Sequence, residues 1–106
     1  MTMKRSWFHI LVALADGLRH GAEIQRRVLD LTNDSLRLYP VTLYGALDDL
    51  VALGLIEEAA EPPDSRHNER RRYYRITPRG KRALAEEASS LESTARLARS
   101  VLGRRA

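Results

Sequence analysis

The chain has 106 residues, enough for one domain with a modest core. It is 43% apolar and 30% charged, with a formal net charge of +4. It contains no cysteine, which excludes disulfides, cysteine-ligated metals and a thiol nucleophile.

No apolar run approaches the roughly 18 residues of a membrane-spanning helix. Lys4 and Arg5 ahead of Trp7–Ala15 imitate a leader peptide. However, His9 and Asp16 interrupt the stretch and its periodicity is helical, so it is expected to be the first helix of a cytoplasmic protein. The charge is unevenly placed. Residues 1–53 carry six basic and six acidic side chains, residues 54–82 eight and five, and residues 83–106 four and three. The basic excess lies in the middle-to-late segment, as a surface facing a polyanion would require. A solvated basic surface accounts for the same excess.

Trp7, Ile10, Leu11 and Leu14 fall at i, i+3, i+4 and i+7, one face of a helix. Gly17 after Asp16 is expected to stop it in a left-handed conformation. Ile24, Val28 and Leu31 give a second, shorter stripe starting near Gly21, with Asn33-Asp34-Ser35 as its exit loop. Leu43, Leu47 and Leu50 line a third helix, for which Pro40 suits the first turn. Gly54 stands just past its end and Leu55 beyond, the pattern of a Schellman cap.

Leu55–Ala60 is compatible with a short strand. Residues 61–70 are polar apart from prolines and form a loop. Arg71–Ile76 alternates as a strand, so the two strands make a hairpin. The alternation puts Tyr74 in the core and leaves Tyr73 partly exposed. Thr77-Pro78 is an N-cap followed by a first-turn proline. The last helix runs to about Leu102. Its seam of Leu84, Ala88, Leu91, Ala95, Ala98 and Leu102 is spaced 4, 3, 4, 3, 4, the repeat of a helix that pairs with another. So long a helix outreaches so small a core, which favours pairing between two copies over packing on its own domain.

Helix, helix, helix, strand, charged loop, strand, long helix is the order of a winged helix-turn-helix, mainly α with a small β-hairpin wing. Residues 1–78 form the DNA-binding part and residues 79–106 the dimerisation helix of one structural unit. Five segments also resemble the PadR family of regulators. They are Ile10-Leu-Val-Ala-Leu-Ala-Asp-Gly17, His20-Gly-Ala-Glu-Ile24, Thr42-Leu-Tyr-Gly-Ala-Leu47, Leu53-Gly-Leu-Ile56 and Arg72-Tyr-Tyr-Arg-Ile-Thr-Pro-Arg-Gly80. The resemblance implies a dimeric transcription regulator, usually a repressor, whose last helix joins the subunits. It also implies that some relatives take small aromatic effectors between subunits.

Thr42, Tyr44 and Gly45, off the leucine face of the third helix, are the candidate base- and phosphate-reading residues, against the simpler reading that Tyr44 packs on the second helix. Arg66, His67, Asn68, Arg70 and Arg71 on the wing are candidates for the minor groove or backbone of double-stranded DNA. Trp7 and Phe8, with Ser93 and Arg96, are candidates for an effector pocket, against the simpler reading that Trp7 fills core. Asp48 and Asp49 oppose phosphate. With the neutral residues 1–53 they support a rival reading, a protein-interaction module, though one carboxylate could instead accept from a cytosine amino group; an effector sensor with weak DNA binding is a third reading. His9, His20 and His67 show no metal-ligand spacing. Asp16, His20 and Glu23 have no nucleophile or phosphate-binding loop beside them, so neither a metal nor another cofactor nor catalysis is expected.

Overall fold

The computed structural model describes residues 3–62 and 71–104. In chain order it contains α1 (Arg5–Leu14), β1 (Arg19–His20), α2 (Gly21–Leu31), α3 (Pro40–Ala52), β2 (Ile56–Ala59), β3 (Tyr73–Ile76) and α4 (Pro78–Leu102). This is the expected mainly helical winged helix-turn-helix with a long final helix. One core holds it together. Ile10, Leu11 and Leu14 of α1, Ile24 and Val28 of α2, and Leu43, Leu47 and Leu50 of α3 meet Leu55, Ile56 and Tyr74. Leu31, expected on the α2 stripe, is instead exposed, because α2 ends there.

The helix ends show how local chemistry sets the frame. At the end of α3 the Leu55 N–H donates to the Leu50 carbonyl at 3.0 Å and the Gly54 N–H to the Val51 carbonyl at 3.0 Å, while Gly54 has φ +74°. That is the anticipated Schellman cap. α2 closes in the same manner with Asn33 (φ 50°) in the glycine's place and the Asp34 N–H on the Leu29 carbonyl at 2.8 Å. α1 does not. Gly17 is not left-handed, and α1 already stops at Leu14. The Arg19 guanidinium reaches back instead. It donates to the Ala13 carbonyl at 2.8 Å and to Asp16 at 2.9 Å, so a cation satisfies the end of the helix.

The loop between α2 and α3 is pinned at three points. Thr32 Oγ1 donates to the Val28 carbonyl (2.8 Å) and accepts from the Leu36 N–H (3.1 Å), and Gln25 Nε2 donates to the Leu38 carbonyl (2.5 Å). Leu38 itself is buried.

The wing is part of a three-stranded antiparallel sheet, β1-β3-β2, rather than a bare hairpin. β1 pairs Arg19 with Tyr74 and His20 with Tyr73. Tyr73 is consequently buried, contrary to the alternation argument, because β1 and the His20 ring cover it, edge to face at 5.3 Å. On the other side Glu57 faces Arg75, whose Nε donates to it at 2.7 Å.

Thr77 caps α4 as expected, its hydroxyl accepting from the Gly80 N–H at 3.0 Å. The same hydroxyl donates to the Gly54 carbonyl at 2.6 Å, and the Thr77 N–H donates to the Leu55 carbonyl at 3.0 Å. Residues 77–80 therefore weld the start of α4 to the cap of α3. α4 then runs for 25 residues, about 37 Å at 1.5 Å per residue. Every residue from Ser89 to Arg104 is exposed.

Candidate nucleic-acid interface

α3 buries Leu43, Ala46, Leu47 and Leu50 and turns its other side outward. Thr42, Tyr44 and Gly45 all lie on the exposed part, as their positions off the leucine face require. Pro40 occupies the first turn, where its missing N–H costs nothing, and the preceding Tyr39 provides no side-chain cap. A Cβ on Gly45 would meet nothing within 4 Å, so the backbone is bare there. Tyr44 is 45% exposed, yet its ring is not free. It leans on the start of α2 so closely that a Cβ on Gly21 would come within 2.9 Å of its Cζ. Gly21 thus gives the two helices of the turn motif room to hold Tyr44 in one pose.

The wing is anchored at its base. Arg71 Nη1 lies 2.8 Å from His20 Nε2. His20 is also the N-cap of α2. Its backbone N–H donates to Glu23 Oε1 at 3.1 Å, and the Glu23 N–H approaches its Nδ1 at 3.4 Å. Glu23 Oε1 also lies 3.2 Å from His20 Nε2, so Arg71, His20 and Glu23 form one polar cluster at the start of α2. Arg71 is therefore a half-buried tie between β3 and α2, not a wing-tip residue. Arg66, His67, Asn68 and Arg70 lie outside the described residues.

Arg26, Arg37 and Arg72 are exposed, while α3 has no lysine or arginine and exposes Asp48 and Asp49. Sequence reasoning gives no reason to single out Arg26, Arg37 or Arg72, since no periodicity distinguishes one surface arginine from another. Tyr74 lies under this surface. Burial pushes its hydroxyl above the ordinary tyrosine range, a hydrogen bond from Arg72 works against that, and the Glu58 and Asp48 carboxylates add to it.

The α4 seam divides in two. Leu84 and Ala88 are half-buried against their own domain, whereas Leu91, Ala95, Ala98 and Leu102 face outward. Leu97 and Val101 are further exposed apolar residues off the seam. Of the four effector candidates, Trp7 and Phe8 are half-buried, and Ser93 and Arg96 lie on the exposed part of α4. Trp7 packs on the core, with the Lys4 ammonium 5.3 Å from its ring centroid. Among the described residues no three His, Cys, Asp or Glu side chains come together as a metal site would need. None of the described helices is long and apolar enough to cross a membrane.

Residues 10–86 match the model of the transcriptional regulator PadR-like family. The chain is 41% identical over 95 residues to the transcriptional regulator Rv3488 of Mycobacterium tuberculosis, covering 90% of this chain and 80% of that protein. Its fold is similar to a PadR family transcription regulator from Clostridium difficile R20291, with TM-score 0.80, 25% identity, and coverage of 94% of this chain and 100% of that one. It is also similar to a transcriptional regulator from Clostridium thermocellum, with TM-score 0.76, 28% identity, and 89% of each chain covered. Regulators of this family are DNA-binding proteins rather than enzymes. With the winged helix-turn-helix in place and most of its length matched, this chain belongs to the PadR-like family of transcriptional regulators.

Proposed function

We propose that the chain is a cytoplasmic, sequence-specific repressor that binds a pseudo-palindromic operator as a homodimer. The observation that carries this reading is the outward side of α3. It offers Thr42, Tyr44 and the bare Gly45 to a groove, and Arg26 on α2, Arg37 in the loop before α3 and Arg72 just before β3 are exposed. Thr42 and Tyr44 read bases, these arginines and the wing residues Arg66, His67, Asn68 and Arg70 engage phosphate or the minor groove, and Arg71 keeps the wing in register. The repressor part of the reading follows the family resemblance, in which regulators of this kind are usually repressors.

The exposed length of α4 supports the homodimer. A lone helix of that length is marginal in water, and exposed Leu91 and Leu102 need cover. Charge on α4 specifies how two copies meet. Glu86, Glu87 and Glu92 precede Arg96, Arg99 and Arg104, so an antiparallel pair sets acidic stretch against basic stretch. Centred near Ala95, that pairing also faces Leu91 with the small Ala98. Since Trp7 is packed on the core, its simplest role is structural, and an aromatic effector at Trp7, Phe8, Ser93 and Arg96 would have to be completed by the second subunit.

A gel shift against the DNA upstream of the protein's own gene, at low and moderate salt, tests the reading. Specific binding should persist at moderate salt, and Thr42→Ala and Tyr44→Ala should weaken it more than binding to random DNA. Equal losses on both would remove these residues from sequence reading. Absence of any shift would favour a protein-interaction module.

A further inference from the structure

The centre of the outward face of α3 is a stripe of Val41, Gly45, Asp48 and Ala52, spaced 4, 3 and 4, and all four are exposed. α3 has no cation to offset the carboxylate. A helix entering a polyanion's groove with a bare negative charge at the middle of its contact face pays repulsion from the phosphates. Asp48 makes no hydrogen bond or ion pair with any described residue; its charge is felt at the Tyr74 hydroxyl, which Arg72 bonds, but no direct partner inside the chain offsets that repulsion. Its neighbours on the stripe stand clear of it. Gly45, one turn earlier, has open space where a side chain would be, and Ala52, one turn later, offers only a methyl group. The carboxylate can therefore reach the floor of a groove before any other group on this line.

Resting on α3 as the recognition helix, we infer that Asp48 is a specificity residue that accepts a hydrogen bond from the exocyclic amino group of a cytosine in each half-site. A carboxylate only accepts. In the major groove guanine shows N7 and O6 and thymine shows O4, all acceptors that repel it. Adenine N6 donates, but the neighbouring N7 acceptor opposes the second carboxylate oxygen. Cytosine N4 donates beside a C5–H edge that does not. Asp48 also acts by rejection, because a wrong base leaves a desolvated carboxylate unpaired.

Selection of bound duplexes from a randomised library, using the full chain and its variants, tests this. The unmodified protein should select a motif with a cytosine in each half-site, whose replacement weakens binding roughly tenfold or more. Asp48→Ala should flatten that position and leave the other positions of the motif in place. Asp48→Asn should move it to adenine, because a carboxamide pairs with both N6 and N7. Asp49→Asn, which removes the same charge on the flank of the face, should keep the cytosine. A motif lacking the cytosine, or one that keeps it in both Asp48 variants, overturns the role of Asp48 and leaves the DNA-binding reading standing. Failure of the unmodified protein to enrich any motif overturns both.

Discussion

The Tyr44 ring lies across the Gly21 backbone, its hydroxyl oxygen so near that a Cβ on Gly21 would fall 2.5 Å away. The residue that opens α2 thereby sets the pose of a side chain on α3. Gly21→Ala should displace Tyr44, which is half-exposed and can swing outward, so the unfolding midpoint should change little. Affinity for specific DNA should nevertheless fall nearly as far as in Tyr44→Ala. Denaturant titration and a binding isotherm on the same preparations check both halves. Unaltered affinity in Gly21→Ala would show that the pose of Tyr44 is irrelevant to binding.

Gly80 presents the opposite case. A side chain there would collide with the Leu55 carbonyl and with Ile76, and the carbonyl belongs to the segment that Thr77 bonds to. Backbone cannot swing away as a phenol can. Gly80→Ala should therefore destabilise the fold by about 2–3 kcal/mol, in the range of overpacked cores. A urea midpoint equal to that of the unmodified chain would contradict this.

The contrast between these glycines marks what could be read from sequence. Gly54-Leu55 and Thr77-Pro78 were legible because a cap is completed by residues a few positions apart. Gly80 was not, because its constraint comes from Leu55, distant in sequence. β1 escaped for a related reason: two residues carry no periodicity, and their pairing with β3 is non-local. Missing β1 also misplaced Tyr73, whose cover is the His20 ring. Gly17 misled because the Arg19 side chain, rather than backbone conformation, ends α1. For the candidate interface, the exposure of Thr42, Tyr44 and Gly45 follows from helical periodicity alone. Arg71 as a tie to His20 does not, since it depends on β3 lying beside the start of α2.

Asp16 accepts from Arg19 at 2.9 Å and from Arg27 at 3.1 Å. The Arg19 hydrogen bond first, then its charge, then the charge of Arg27, hold the Asp16 carboxyl below its ordinary value of 3.8. A carboxyl held low in the folded chain contributes stability above its unfolded pKa, and that contribution is lost as pH falls through the folded one. Asp16→Asn should therefore be less stable than the unmodified chain at pH 7, and the two should converge below about pH 4. The effect should be small, because the pair is exposed. Urea midpoints at both pH values measure it, and a gap that persists unchanged in acid would contradict the assignment.

If α4 pairs antiparallel about Ala95, single cysteines report the arrangement cleanly in a chain that has none of its own. Ala95→Cys should oxidise to a covalent dimer, because two copies near the two-fold axis fall within the roughly 7 Å that a disulfide spans. Leu102→Cys should not, because antiparallel helices carry the two copies apart. Crosslinking of both on a denaturing gel would mean a parallel pair, and crosslinking of neither would place the interface elsewhere. Leu91→Glu should shift the dimer toward monomer in light scattering.

In the proposed function two copies of this chain read one symmetric stretch of DNA. Enrichment of fragments from genomic DNA, followed by footprinting of the recovered sites, tests it most directly. The recovered fragments should share a pseudo-palindrome with two protected half-sites whose centres lie about one helical turn, roughly 10 base pairs, apart. Recovery of fragments no different from the input DNA at moderate salt would contradict it.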